Sequence, residues 1–309
     1  MPKVSVVMPI YNKAERLSFS IESVLAQTFT DFELIMINDG STDGSHDIAV
    51  AYKGKDPRVK YFKQRNQGVS ITRNNAIDLA RGESIAFLDA DDILHPEFLA
   101  KMVWKSGEAN VCYCGHYHVT GKSRKKARLN FAEGDLLSKF LLDTCNPHLN
   151  SWLIKKSFLD DYGIRFSPGV SWGEDMIFFS KVLVNETNVV AYRDYLTEYH
   201  SGQPGSLHEN SMDKIKADIE WMEIVKQYVG SRVKDPKRRE EAVAAIDSHR
   251  IGGAILYHLD RNISLISKEE LRNLIGNYGD FIRIFNFSNG TRNIKLMLVY
   301  LKVRVQLLF

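Results

Sequence analysis

Residues 84–92 read Ser84-Ile85-Ala86-Phe87-Leu88-Asp89-Ala90-Asp91-Asp92, an apolar run that breaks into three carboxylates. A short continuous apolar run reads as a buried strand, so the acids stand where a strand leaves its sheet. Like charges this close repel, and the cluster is costly unless something positive neutralises it. A hard divalent cation with oxygen ligands is the natural partner. In open α/β sheets, ligands bind beyond the carboxyl ends of the strands. The stretch therefore predicts an α/β sheet with a metal site suited to a phosphate-bearing substrate.

The residues before it repeat the same layout. Val4 to Ile10 is a near-continuous apolar strand, and Leu17, Ile21, Val24 and Leu25 follow at helical spacing. Phe32 to Ile37 is a second apolar run, ending in Asn38-Asp39-Gly40-Ser41-Thr42-Asp43-Gly44-Ser45, all turn chemistry. Val59 to Phe62 reads as a third strand. A helix is expected after Gly68, with Ile71, Ile77 and Leu79 on its buried side. Pro96 suits the first turn of another helix. Strands alternating with helices imply a largely parallel sheet covered on both faces.

Beyond residue 100, Asn110 to Val119 and Ser151 to Ile154 read as strands and Met176 to Val184 as a helix. Lys122 to Arg128, with five basic residues in seven, reads as a solvated loop that could meet an anionic lipid surface or a lipid-diphosphate acceptor. Tyr192 to Ser206 reads as irregular, with Gly202, Pro204 and Gly205 as breakers. Helices are expected around Ile215, Ile219, Met222 and Val225, then over Ala242 to Leu259 and Leu271 to Ile275. The end, Thr291 to Phe309, is apolar with interspersed Arg292, Lys295, Lys302 and Arg304. It could lie on a membrane as an amphipathic basic helix or dock on the core. The expected organisation is an α/β domain over 1–205, with halves meeting near residue 95 (1–95 and 96–205). A helical region follows over 206–309.

Composition excludes several classes. Of 309 residues, 41 are Lys or Arg and 38 Asp or Glu, too balanced to imply nucleic-acid binding. Cys112, Cys114 and Cys145 are read as buried reduced thiols, at home in a reducing cytosol. No signal peptide is read before the first strand, and no uncharged apolar stretch reaches the roughly 18 residues of a spanning helix. A soluble, cytoplasmic protein is expected, or one that is peripheral at the cytosolic face of a membrane.

The order of motifs is more specific than any one of them. Pro9-Ile10-Tyr11-Asn12 follows strand one, and Asn38 to Asp43 follows strand two. Asn66-Gln67-Gly68 and Arg73-Asn74 come next, then Asp89-Ala90-Asp91, and later Trp172-Gly173-Glu174-Asp175. Over roughly residues 3 to 205 this series resembles the family 2 glycosyltransferases, which have the Rossmann-like GT-A fold.

That resemblance implies an inverting enzyme that moves a sugar from a UDP-sugar to an acceptor hydroxyl, forming a β-glycoside. Asp91 would hold Mn²⁺ or Mg²⁺ across the two phosphates, and Asp89 would contact the ribose or the metal's water shell. Asp92 is read as structural. A cation there stabilises the charge that builds on the diphosphate leaving group. Asp39 would read the uracil imide, while Ser41 and Asp43 shape the turn. Arg73 would contact base or pyrophosphate, its permanently charged fork suiting either. Pro9 and Tyr11 would wall the nucleotide pocket, and Ala90 belongs to the same motif. Asp175 matches the general base, Glu174 would orient the acceptor, and Trp172 offers a face for a sugar ring. His200 would be a further metal or diphosphate ligand, and Gly205 and Ser206 part of a closing loop.

Departures are few: Asn38 stands where many members carry an acid, and Thr72 opens the usual Ala-Arg-Asn triplet. A Q-x-x-R-W-type motif is absent, which favours single-sugar addition to a saccharide or lipid-linked saccharide. Two alternatives remain at this stage. A pyrophosphorylase-like nucleotidyltransferase would share the metal acids but would carry a Gly-rich loop where Pro9 to Asn12 stand. A non-catalytic sugar-nucleotide-binding scaffold would not need an intact Asp91 and Asp175.

Overall fold

The computed structural model describes residues 1–170, 172–202, 212–262, 267–283, 285 and 297–301. In chain order the elements are β1 (Val4–Ile10), α1 (Ala14–Leu25), β2 (Phe32–Asn38), α2 (Ser45–Lys55), β3 (Val59–Lys63), α3 (Val69–Leu79), β4 (Ser84–Phe87), β5 (Ile93–Leu94), α4 (Phe98–Ser106), β6 (Val111–Thr120) and β7 (Ser123–Lys126). They continue with α5 (Leu137–Leu141), β8 (Trp152–Lys155), α6 (Lys156–Asp161), α7 (Glu174–Asn185), β9 (Val190–Ser201), α8 (Met212–Arg232), α9 (Pro236–Ala245), α10 (Gly252–Asn262) and α11 (Lys268–Arg283). The chain divides into two compact units, residues 1–136 with 145–206, and residues 137–144 with 207–309.

In the first unit one sheet runs β3-β2-β1-β4-β8-β6-β9-β5, with β7 added to β6. β3, β2, β1 and β4 are all parallel, because α1, α2 and α3 carry the chain back to the same end each time. Beyond them the sheet is mixed. β8 lies antiparallel between β4 and β6, while β6 and β9 are parallel. Every residue of β2 is buried, as are Leu17, Ile21 and Val24 of α1. The three cysteines are free and buried.

Three expectations are corrected. The buried side of α3 is Ser70, Thr72, Arg73, Ala76 and Ile77, while Leu79 is 44% exposed. Polar side chains take the inner face because each has an inner partner: Ser70 Oγ donates to the Val170 carbonyl, and the partners of Thr72 and Arg73 are described below. Residues 192–201 are strand rather than irregular chain, since β9 pairs with β6 as far as Thr120 and Ser201. Of the breakers, Gly202 lies just past its end, and Pro204, Gly205 and Ser206 lie outside the described residues. The basic run is no loop either: Ser123 to Lys126 pairs antiparallel with Tyr117 to Thr120 as a hairpin.

The second unit is helical. The helix expected over 242–259 is interrupted by π-helical turns at Ile246–Ile251. They carry Arg250, which donates to the carbonyls of Phe140 and Leu141 at the end of α5. α11 begins earlier and runs further than its apolar residues suggest. A capping box starts it: Glu270 N–H donates to Ser267 Oγ, and Ser267 N–H donates back to the Glu270 carboxylate. No helix among the described residues is long and apolar enough to cross a membrane. Of the tail expected to lie on membrane or core, Met297 to Leu301 is helical and the rest lies outside the described residues.

Candidate active site

The site gathers at the carboxyl ends of β1, β2 and β4, and α3 organises it. Gly68 precedes α3 at φ 87°, a left-handed conformation that suits glycine. From there Thr72, Arg73 and Asn74 each bind a different element. Thr72 Oγ1 donates to the Gly68 carbonyl and accepts from Gln64. Asn74 pins the backbone of Phe166 from both sides, at 2.9 and 2.8 Å. Arg73 lies between, 3% exposed, its guanidinium 5.1 Å from the Phe166 ring centroid.

Arg73 joins the two acid motifs. One arm donates to Asp89 Oδ1 at 2.7 Å and the other to Glu174 Oε1 at 3.0 Å. Burial alone would raise the Asp89 carboxyl, but Arg73 outweighs it and holds the group below the usual aspartate range. Glu174 opens α7 beside Asp175, after Gly173 in the left-handed region at φ 78°. Burial and the neighbouring Asp175 raise Glu174 despite Arg73. Burial also raises Asp175, again against the pull of Arg73. Among the described residues no cation is paired with Asp175, and a carboxylate whose pKa is raised is the kind of group that can accept a proton. The Met176 N–H donates to Asp175 Oδ1 and orients it.

The three acids after β4 have three environments. Asp89 faces Arg73. Asp91 faces Lys13, whose Nζ lies 2.5 Å from Oδ2. Asp92 is 1% exposed and turned inward, accepting from the His200 N–H at 2.8 Å and from Asn150 Nδ2 at 3.1 Å. Burial, with Asp89 adding to it, pushes its carboxyl well up. Asp92 thus ties the turn to β9, and Ala90 is buried in the core beneath it.

His200 is held by both ring nitrogens. Arg16 donates to Nδ1 at 2.8 Å, and Nε2 lies 3.1 Å from Glu198. Burial and the Arg16 charge lower its pKa, consistent with a neutral imidazole. Lys13 immediately precedes α1 and Arg16 lies in its first turn, so one helix start supplies a cation to each predicted metal ligand.

Asp39 is 4% exposed and accepts three hydrogen bonds, from Gln67 N–H, Gly68 N–H and Gln64 Nε2. It fixes the turn that starts α3 while keeping further lone pairs on its two oxygens. Tyr11, 50% exposed, follows β1 where Pro9 pairs with Ile37. Asn12 laces this loop to the next, accepting from the Thr42 N–H and donating its own N–H to Ser41 Oγ. Trp172 is partly exposed just before Gly173.

Arg73, Asp89 and Glu174 are thus in direct contact, while Asp39 and Tyr11 sit at the neighbouring strand ends. Sequence reasoning missed Lys13, Arg16, Glu198 and His148. The first two had a signal: cations at a helix N-terminus oppose the macrodipole and invite another explanation. His148 had none. It stacks on Tyr199 at 4.2 Å and lies 4.0 Å from Asp92, contacts made only by the fold.

Among the described residues no group of three or more His, Cys, Asp or Glu could hold a metal ion. A cation bound mainly through substrate phosphates needs only one or two protein ligands. Asp91 and His200 are the carboxylate and imidazole nominated for that role, but Lys13 pairs with Asp91 and Arg16 and Glu198 engage both nitrogens of His200, so a cation would have to displace those partners. An imidazole nitrogen suits Mn²⁺ better than Mg²⁺.

Residues 5–172 match the description "Glycosyl transferase family 2". This chain belongs to that family. It is 35% identical over 206 residues to the poly(ribitol-phosphate) β-N-acetylglucosaminyltransferase TarP of Staphylococcus aureus, covering 65% of this chain and 62% of TarP. It is 39% identical over 126 residues to the putative glycosyltransferase EpsH of Bacillus subtilis, covering 40% and 37%. The family 2 chain thus spans less than two thirds of the length of these relatives. Its fold is that of the S. aureus TarS fragment solved with UDP-GlcNAc, with TM-score 0.73, 21% identity, and 92% and 82% of the two chains covered. A mannosyltransferase from Pyrobaculum calidifontis, solved with GDP-Man and Mn²⁺, matches at TM-score 0.59 and 16% identity, covering 98% and 87%. The family expectation is met, and the GT-A fold with it.

Proposed function

We propose that this chain transfers a sugar, N-acetylglucosamine, from its UDP donor to a hydroxyl of a polyol-phosphate polymer, with inversion to a β-glycoside. The observation that carries the reading is Arg73, which fixes Asp89 and Glu174 on its two arms. It brings a strand-end acid motif suited to a diphosphate beside a helix start suited to proton abstraction. TarP, by its name, acts on poly(ribitol phosphate), and the TarS fragment was solved with UDP-GlcNAc. Both support the choice of donor and acceptor class.

In this reading Asp39 accepts from the uracil imide, and Pro9 and Tyr11 line the base. Asp89 meets the ribose, with Ala90 offering only its backbone. Asp91 and His200 would hold Mn²⁺, which when bound would stabilise charge on the leaving diphosphate. Asp175 takes the proton from the acceptor hydroxyl as that oxygen attacks the anomeric carbon from the face opposite the diphosphate. Glu174, held by Arg73, positions the acceptor, with Trp172 beside it. One base suffices, in contrast to the carboxyl pair of glycosidases. The setting proposed is surface-polymer synthesis at the cytosolic side of a membrane.

The test is UDP release from UDP-N-acetylglucosamine with and without poly(ribitol phosphate), and with and without Mn²⁺. Acceptor-dependent release by the wild type, lost in Asp175→Asn, is the expected result. Transfer by Asp175→Asn at the wild-type rate would place the base elsewhere.

A further inference from the structure

The run from Lys122 to Arg128 holds five of the chain's 41 basic residues and none of its 38 acids. The whole chain carries a net charge of only +3, so this one segment exceeds it. It is also built structure: β7 pairs with the end of β6, placing Lys126 opposite Tyr117, Lys125 opposite His118 and Arg124 opposite Val119.

Alternation puts the cations on both faces of this hairpin. Arg124 and Lys126 share one face, and each lies over a tyrosine. The Arg124 guanidinium is 3.3 Å from the Tyr117 centroid, and Lys126 Nζ is 4.7 Å from that of Tyr195. Lys125 stands on the other face beside His118, whose Nε2 lies 2.7 Å from Ser201 Oγ, itself bonded to Thr120. All residues of β7 are exposed. Among the described residues only Arg124 of the five pairs with a carboxylate, that of Glu198.

The hairpin is continuous with the site. Val119 lies opposite Arg124 on one side and His200 on the other. Two strand spacings, about 10 Å, therefore separate the backbones of Arg124 and His200. Glu198 bonds both Arg124 and His200.

Resting on the transferase reading above, we propose that the β6–β7 hairpin is the binding surface for the acceptor. That acceptor is a flexible polymer with repeated phosphodiester charges, one segment of which reaches Asp175 while its neighbours lie along the cations. A flat anionic membrane would meet one face of a hairpin. Charges on both faces of a narrow projection, beside the reaction centre, suit a chain that can bend around it. Cations held over aromatic rings lose less freedom when the anion arrives.

The experiment measures binding of fluorescent poly(ribitol phosphate) to wild type and to Lys122→Ser/Lys125→Ser/Arg128→Ser by anisotropy. A neutral dextran oligomer and vesicles containing phosphatidylglycerol serve as the other arms. UDP affinity and the thermal midpoint, read in the same samples, establish that the variant is folded. The wild type should bind the polymer and not dextran, more weakly as salt rises. The triple variant should bind it about 10²-fold more weakly, at roughly fivefold per cation. Equal binding by a folded variant overturns the proposal. So does loss of vesicle binding with polymer binding intact, which would make the hairpin a membrane contact. Failure of the wild type to bind UDP would sink the transferase reading instead and leave the polymer arm readable.

Discussion

The turn at residues 89–92 and the start of α7 at 174–175 use the same kind of side chain, and Arg73 touches both. Their carboxyls nevertheless move in opposite directions. Burial would raise each, yet Asp89 ends below its ordinary range while Glu174 and Asp175 end above theirs. On Asp89 the Arg73 charge and hydrogen bond, helped by His148 and Lys13, outweigh burial, whereas on Glu174 burial and the Asp175 charge outweigh Arg73 and a backbone hydrogen bond. At the first turn Asp89 is thus held anionic while the inward Asp92 is pushed up. The start of α7 is kept basic and suits a proton transfer. Environments that push paired carboxyls apart mark a division of labour.

Removing the basic member should have the largest effect. Asp175→Asn is expected to lower kcat/KM for transfer by about 10³–10⁴-fold, near the upper range of general-base catalysis, with UDP affinity unchanged by calorimetry. Asp91→Asn should instead weaken donor binding in the presence of Mn²⁺. If both variants show the same pattern, the two clusters do not divide the chemistry as argued.

Breaking the shared arginine comes next. Arg73→Met leaves Asp89 and Glu174 without their buried partner, and breaking a buried pair from one side costs about 3–5 kcal/mol. Urea unfolding reads this directly, and a loss below about 1 kcal/mol would mean that the ion pairs bear little of the fold. Asp92→Ala tests the inward acid. It removes the acceptor for the His200 N–H and Asn150, for about 1–3 kcal/mol.

The parallel half of the sheet was legible because its strands are continuous apolar runs and its motifs sit at their ends. The same was true of the acids, whose mutual repulsion announces a partner. What escaped was the identity of that partner. From the sequence Arg73 is expected to contact base or pyrophosphate, and its pairing with Asp89 and Glu174 is visible only once α3, Phe166 and α7 are brought together. β9 was missed because the breakers just beyond its end outweighed its own strand character. α2 left little trace, since only Ser45 and Ala49 are buried on it. The capping box at Ser267 and Glu270 was there to be read, and would have moved the start of α11 to its place.

The pH profile sharpens the comparison further. Asp175 must be ionised to accept a proton, and its pKa is raised. Transfer should therefore fall as pH drops through a value above the ordinary aspartate range, with the acid limb of kcat/KM set by this group. Arg73 pulls that pKa down, so Arg73→Met, if folded enough to assay, should move the limb to higher pH. A limb at the ordinary aspartate value in the wild type would remove the basis for assigning the base.

The smallest effect concerns Lys13. Its ammonium holds Asp91 and so competes with any divalent cation for the same oxygen. Lys13→Met should therefore tighten Mn²⁺ binding in the absence of nucleotide by about two- to fivefold, the scale of a partly exposed ion pair. Electron paramagnetic resonance of free Mn²⁺ measures this without turnover. A divalent cation held at Asp91 takes over the neutralisation that Lys13 supplies there. Lys13 can then turn to a phosphate oxygen, and the same variant should bind UDP more weakly. Tighter Mn²⁺ with weaker UDP is the signature of a cation that changes partners, whereas weakening of both would mean that Lys13 only shapes the loop.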